Sequence, residues 1–274
     1  MWKSLECGAF LCAVPLLRNI NVTRYVTPLR EGGSLPAIVE GDDDFLYVLK
    51  FRGAGQGVKA LIAELIGGEL ARVANLKVPE LVFAEVDPAF GRTEPDEEIQ
   101  DLLKASAGCN LALHYLSVAI TFDPAVSKVD GDLASKIVWL DALLMNVDRT
   151  ARNTNMLMWQ KELWLIDHGA ALYFHHSGSD FAAQAERPFP QIKDHVLLAA
   201  ASELNAADAF MKNMLTGEVV CAITDALPAD WLQAAFPEEA PEAMRAAYCA
   251  FLNNRIAGSH HFLKTALDAR SAAL

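Results

Sequence analysis

The stretch from Asn146 to Gly169 constrains this chain more than any other. It opens on Asn146-Val147-Asp148-Arg149-Thr150-Ala151-Arg152-Asn153-Thr154-Asn155 and closes on Leu165-Ile166-Asp167-His168-Gly169. Between these ends, Met156-Leu157-Met158-Trp159 and Glu162-Leu163-Trp164-Leu165-Ile166 flank Gln160-Lys161. Two short apolar runs around a two-residue turn predict a β-hairpin. A hairpin holds its ends side by side, so Asn153 and Asp167 are expected to meet. Asn155 joins Asn153 on one face if the backbone is already extended there, because side chains alternate along a strand. A divalent cation that bridges phosphates suits a carboxylate and an amide oxygen brought together in this way. A further carboxylate, Asp148, suits the proton of an attacking hydroxyl. An Asp-x-x-x-x-Asn spacing alone also describes an ordinary turn. The hairpin and the second Asp raise it above that.

Phosphoryl transfer asks a protein mainly to position groups and to neutralise charge on the phosphates. Protein kinases do this with His-Arg-Asp-x-x-x-x-Asn followed by Asp-Phe-Gly, a lysine on an upstream strand, an acid that orients it, and a glycine-rich loop. Asp148 and Asn153 have the first spacing, and Asp167 stands in Asp-His-Gly. Upstream, Phe45–Phe51 reads as an apolar strand whose Tyr47-Val48-Leu49-Lys50 resembles the kinase Val-Ala-Ile-Lys. Lysine is rarely buried unless paired, although alternation also permits a solvent-facing Lys50. Arg24–Arg30 and Leu35–Glu40 flank Glu31-Gly32-Gly33-Ser34, a hairpin whose glycines let a backbone approach phosphates. Gly53-Ala54-Gly55-Gln56-Gly57 is a competing loop, but it lacks the Gly-Lys-Ser/Thr ending of a Walker motif. The helix expected at Val58–Asn75 carries Leu61, Ile62, Leu65, Ile66, Leu70 and Val73 as its apolar stripe. Glu69 falls near the centre of that stripe and Glu64 just outside its edge, so periodicity favours Glu69 as the buried acid.

Taken in order, these elements, with Ala74-Asn75-Leu76-Lys77-Val78-Pro79-Glu80 between them, resemble the HipA-like kinases. These are bacterial atypical kinases similar in fold to protein and phosphoinositide kinases. The resemblance spans about Arg24–Asp194, and Asn146-x-Asp148-Arg149-x-x-x-Asn153 is its most specific part. It implies an α+β, bilobal protein-kinase-like fold, with a small β-rich N-lobe over 1–118 and a larger, mainly helical C-lobe over 119–274. It implies ATP and Mg²⁺ as cofactors, Asp148 as catalytic base, and Asn153 and Asp167 as metal ligands. Lys50 would hold the α/β-phosphates, oriented by Glu64 in place of Glu69, under a phosphate loop of Gly32, Gly33 and Ser34. The implied reaction is transfer of the γ-phosphate to a hydroxyl, that of a protein Ser/Thr in toxin-type members. Some of those members are held inactive by a DNA-binding antitoxin partner. This chain is short for the toxin type and more closely resembles stand-alone members. A lipid or small-molecule acceptor, or a nucleotide-binding module without turnover, would use the same groups.

Elsewhere the sequence says less. Leu111–Ser117 reads as an apolar extended segment, either the connection between lobes, with adenine near Tyr115, Leu116, Ser117 and Val118, or an ordinary core strand. Glu80–Val86 is an expected strand and Glu97–Ala105 a short helix. Asp132–Met145 is an expected helix ending at the Asp148 loop, and its Asp141 reads either as a hydrogen-bond partner of that loop or as a solvated acid. Further helices are expected near Gln191–Leu204, Ala206–Leu215, Glu218–Ala226 and Ala240–Leu267. A net charge of −12 argues against nucleic-acid binding, which favours a basic surface. The apolar run Gly8–Leu17 is far too short to span a membrane. Five scattered cysteines without zinc spacing read as free thiols in a reducing cytoplasm. His168 reads as a packing or hydrogen-bonding group.

Overall fold

The structure, a computed structural model, describes residues 17–29, 35–90, 96–178 and 180–273. Five strands form a closed barrel in the order β1-β2-β3-β5-β4. They are β1 (Arg18–Pro28), β2 (Ala37–Gly41), β3 (Leu46–Lys50), β4 (Leu81–Val86) and β5 (Gly108–His114). β1 starts earlier than its apolar pattern suggests because Arg18–Asn21 pairs in parallel with Val82–Glu85 of β4. The barrel interior is filled by Ile20, Val39, Tyr47, Leu49, Val82 and Ala112. Closure leaves no free sheet edge there. The glycine hairpin between β1 and β2 is zipped as far as Leu29, whose N–H donates to the Pro36 carbonyl at 2.7 Å. Its tip, with Gly32, Gly33 and Ser34, lies outside the described residues.

Helix α1 (Gly57–Val73) follows β3 and is buried on almost every face. It packs against β4 and β5 of the barrel and against three helices of the second half, α3 (Gly131–Leu144), α6 (Gly217–Asp225) and α7 (Ala229–Ala235). Two mid-helix glycines make that packing possible. A Cβ on Gly67 would stand 2.7 Å from the His168 Cβ, and one on Gly68 would stand 2.5 Å from Leu81 Cδ1. Glycine costs a helix interior up to about 1 kcal/mol relative to alanine, and here that cost is offset by close approach. α7 ties the halves together: Trp231 Nε1 donates to the Cys109 carbonyl at 2.8 Å, and Arg52 pairs with Asp230 at 2.6 Å.

After α2 (Glu97–Ala105) and β5, the connection Tyr115–Ala119 leads to a three-stranded sheet ordered β6-β7-β8. β6 is Ile120–Thr121, β7 Met156–Trp159 and β8 Glu162–Leu165. β7 and β8 are the expected hairpin, with Met156 opposite Leu165 and Trp159 opposite Glu162. Gln160 and Lys161 both have positive φ (50° and 68°), as a type I′ turn requires. The remainder is helical: α4 (Phe181–Ala185), α5 (Leu204–Met214), α6, α7, α8 (Pro241–Ala257) and α9 (His260–Ala273).

Two helical expectations need correction. Gln191–Leu204 is a 3₁₀ turn at Pro190–Asp194 followed by turns. Its turns bond locally, as His195 N–H does to the Ile192 carbonyl at 3.1 Å, but between them the backbone reaches the Asp148 loop, through a Thr150–His195 bridge and Val196 N–H to the Arg149 carbonyl at 3.1 Å. Ala240–Leu267 is two helices, parted at Gly258-Ser259. α7 lacks a sequence periodicity long enough to announce it. The cysteines also differ from expectation: Cys221 of α6 and Cys249 of α8 form a disulfide, since packing of these helices brings their Cα atoms to 5.1 Å. Cys109 is free, and Cys7 and Cys12 lie outside the described residues.

Candidate active site

Between the barrel and the helical half lies a cleft of about 650 Å³. Val48 and Lys50 of β3 and Leu113 and His114 of β5 line it from the barrel. Asn153, Thr154, Asn155, Met156, Ile166 and Asp167 line it from the other half. Its apolar walls and few convergent polar groups have the character of a small-molecule site. Pro28, Leu29 and Pro36, the stems of the glycine hairpin, reach its rim. Tyr115 and Leu116 line it as well. Ser117 is not among the lining residues; its carbonyl accepts Trp159 Nε1 at 2.9 Å.

One ammonium joins the two halves. Lys50 Nζ lies 2.6 Å from Glu64 Oε2 and 2.7 Å from Asp167 Oδ1. The strand places Lys50 toward the cleft, and α1 presents Glu64 to it. Glu64 is wholly buried, whereas the Asp167 side chain is 46 % exposed, so only Asp167 remains open to a ligand. Burial pushes the Lys50 ammonium down in pKa, but the charges of Glu64 and then Asp167 outweigh it and leave it raised. Burial likewise pushes the Glu64 carboxyl up, and Lys50, with the His168 ring behind it, brings it down to about 2. The choice between two acids is thereby resolved. Glu69 is also buried, but it pairs with Arg72 on its own helix. The stripe argument misjudged Glu64 because α1 is covered on more than one side, so no single face is the buried one.

The loop that carries Asp148 is held from beneath. α3 ends at Met145, in left-handed conformation (φ 54°), and Asn146 N–H still donates to the Asp141 carbonyl at 2.9 Å. The Asp141 carboxylate is buried and receives three side chains: Asn146 Nδ2 at 2.9 Å, Arg149 Nε at 2.6 Å and His195 Nε2 at 2.9 Å. His195 Nδ1 accepts the Leu197 N–H at 3.0 Å, so its proton sits on Nε2 and points at Asp141. Burial pushes the Asp141 carboxyl up, but Arg149 and His195 hold it well below the usual carboxylate range. Arg149 in turn binds the carbonyls of Asn155 and Ile166, the latter at 3.4 Å. One buried guanidinium thus links the helix, the loop and the backbone just before Asp167.

Asp148 stands above this base. Asn146 Oδ1 accepts its N–H at 3.1 Å. Asn153 Nδ2 and Asn155 Nδ2 donate to its Oδ2 at 2.8 and 3.1 Å. Both amides thus fall on one oxygen of Asp148, Oδ2, and not on Oδ1. The Asn153 nitrogen donates to Asp148, which leaves its oxygen as the atom that could accept a hydrogen bond or bind a cation. Asn155 (φ 47°) and Asp167 (φ 55°) both take left-handed backbone, and Ile166 N–H donates to the Asn155 carbonyl at 3.0 Å, extending the β7–β8 ladder to the site. Among the described residues no three His, Cys, Asp or Glu side chains gather to hold a metal by themselves. One carboxylate and one amide oxygen, with phosphate oxygens and water, nevertheless suit Mg²⁺, which is seldom caged by protein alone.

A family model described as HipA-like kinase matches residues 22–256. The chain belongs to the HipA-like kinase family. Among solved structures, it is similar to the Helicobacter pylori proinflammatory kinase CtkA, with a TM-score of 0.54 and 14 % identity over 93 % of this chain and 99 % of that one. It is also similar to the Golgi casein kinase with Mn/ADP bound, with a TM-score of 0.50 and 14 % identity over 93 % of this chain and 74 % of that one. At such identity the likeness establishes the fold, which is that of kinases: a β-rich N-terminal part and a mainly helical C-terminal part. No curated protein matches the sequence significantly. Among the described residues no helix is long and apolar enough to cross a membrane.

Of the residues singled out from sequence, Lys50, Glu64, Tyr115, Leu116, Asn153 and Asp167 gather at or directly behind the cleft, and Asp148 is bonded to two of its lining residues. His195 was missed. It carries no motif, and its place depends on a backbone bridge to Thr150 that no spacing reveals.

Proposed function

We propose that this chain is an ATP- and Mg²⁺-dependent phosphotransferase that moves the γ-phosphate to a hydroxyl, with protein Ser/Thr as the acceptor class. The observation that carries the reading is Lys50, held by a buried acid on one side and by the cleft-facing Asp167 on the other. In this reading adenine lies between Val48 and Met156, against Tyr115 and Leu116, and Lys50 takes the α- and β-phosphates. Asn153 and Asp167 hold Mg²⁺, which supplies charge neutralisation on the phosphate oxygens when bound. Asp148 accepts the proton of the attacking hydroxyl at Oδ1 while Asn153 and Asn155 keep its other oxygen in place. Its base, Asp141 with Arg149, keeps the loop from moving as charge shifts. We place the lobe boundary at 118/119, within the connection that adenine would touch.

Protein Ser/Thr is the acceptor of toxin-type members of the family. The test is a radiolabelled-ATP assay on a bacterial lysate with Asp148→Asn as control. Label on proteins, absent with the variant, is expected. Label confined to lipid or small molecules would move the acceptor class, and no transfer with any of them would remove the reading.

A further inference from the structure

The residue after the metal-binding Asp is a histidine, and its surroundings are unusual for an imidazole. His168 and Glu64 are both fully buried, and His168 Nδ1 lies 3.7 Å from Glu64 Oε1. Neither ring nitrogen of His168 has a hydrogen-bond partner, and neither does that Glu64 oxygen. Glu64 Oε2 is already taken by Lys50 at 2.6 Å. A buried polar atom without a partner is strongly disfavoured, and here a donor and an acceptor face each other just beyond bonding reach. The helix is shaped for the ring as well. Gly67 lies one turn along α1 from Glu64, and a Cβ there would stand 2.7 Å from the His168 Cβ and 2.9 Å from its Cγ.

We propose that His168 is a positioning residue that donates its Nδ1–H to Glu64 Oε1 and so closes a ring of Glu64, Lys50, Asp167 and His168. Lys50 already joins Glu64 to Asp167, and the peptide bond joins Asp167 to His168. The fourth side fixes the loop that carries Asp167 to the acid that orients Lys50. A phenylalanine in this place fills space but leaves the Glu64 oxygen unpaired. The groups that would touch phosphate and metal are then held as one unit, and His168 acts through them.

The consequence for turnover rests on the proposed kinase function, whereas the bond itself does not. Two measurements separate them. The first is a long-range ¹H–¹⁵N imidazole spectrum of the full chain and of its Glu64→Gln variant. A protected Nδ1–H of His168 that shifts on the substitution is expected. An unprotonated Nδ1, or a signal indifferent to Glu64→Gln, overturns the proposal whatever the protein catalyses. The second is ADP release from Mg-ATP, with dephosphorylated casein as a generic acceptor. His168→Phe keeps a ring without a donor, and His168→Asn puts an amide nitrogen where Nδ1 stands. We expect kcat to fall about tenfold in His168→Phe with KM for ATP unchanged, as for residues that orient a metal site from behind, and to recover in His168→Asn. A fully active Phe variant, or equal losses in Phe and Asn variants of unchanged melting temperature, overturns the proposal. If the parent chain releases no ADP with casein and labels nothing in the lysate assay, the kinase reading fails, and the imidazole spectrum still decides the bond.

Discussion

The two charged clusters of the site are built on opposite plans. Beneath the Asp148 loop, Asp141 is buried and saturated, with Asn146, Arg149 and His195 converging on it. One negative and one positive charge balance there, and no face is left for a ligand. Across the cleft, Lys50 is shared by two carboxylates, Glu64 and the partly exposed Asp167. That cluster carries one negative charge more than it balances, and the surplus faces the cleft. The first plan suits a scaffold whose geometry must not change. The second suits a site completed by a cation and by phosphates. The cleft thus sets a preorganised half against a half that waits for its ligand.

Substitutions can break this contrast. The largest effect is expected at the working end of the rigid half: Asp148→Asn should lower phosphoryl transfer by about 10²–10⁴-fold, the usual contribution of a positioned base. ATP binding, followed by thermal shift, should persist. A variant as active as the parent would remove Asp148 from the mechanism. Next comes Asp141→Ala, which strands a buried Arg149. Removing one partner of a buried pair costs about 3–5 kcal/mol, to be measured by denaturant unfolding. A loss no larger than that of a surface acid would mean the scaffold is not held here.

The open half should respond to ligand. At a hundred times its Kd, Mg-ATP should add about 2.7 kcal/mol of stability, read as a rise in Tm. Asp167→Asn should abolish the Mg²⁺-dependent part of that rise, and a rise that survives would place the metal elsewhere. Acid should also discriminate. The Glu64 carboxyl falls from its ordinary 4.5 to about 2 in the folded chain. A depressed carboxyl stabilises the fold above its unfolded pKa, and the contribution is lost as pH falls from about 4.5 to about 2. Urea unfolding across that window should be steep in the parent chain and shallower in Glu64→Gln. The smallest effect is expected from Glu69→Gln. It should leave turnover unchanged because Glu69 serves Arg72 on the same helix.

Much of the Asp148 loop was legible from spacing. Asn153 and Asp167 line one cleft because the β7–β8 hairpin, turned at Gln160-Lys161, sets its two ends side by side. Lys50 was legible as a lysine out of place in an apolar strand. The disulfide was not, because Cys221 and Cys249 are 28 residues apart on helices whose packing alone brings them together. The segment after Pro190 was misread as helix, since its composition permits one and its bonds to the Arg149–Thr150 backbone lie outside any local pattern.

By itself the sequence determined what is local: Asp148, Asn153 and Asp167 on one loop and hairpin, with a lysine strand and an acid-bearing helix upstream. Only the tertiary structure decided which acid meets Lys50, which side chains hold Asp141, and where His168 rests. The physical reason is range. Turns and strand pairing act over a few residues and leave a periodic trace, whereas a buried charge takes whichever partner packing brings to it, from any distance along the chain.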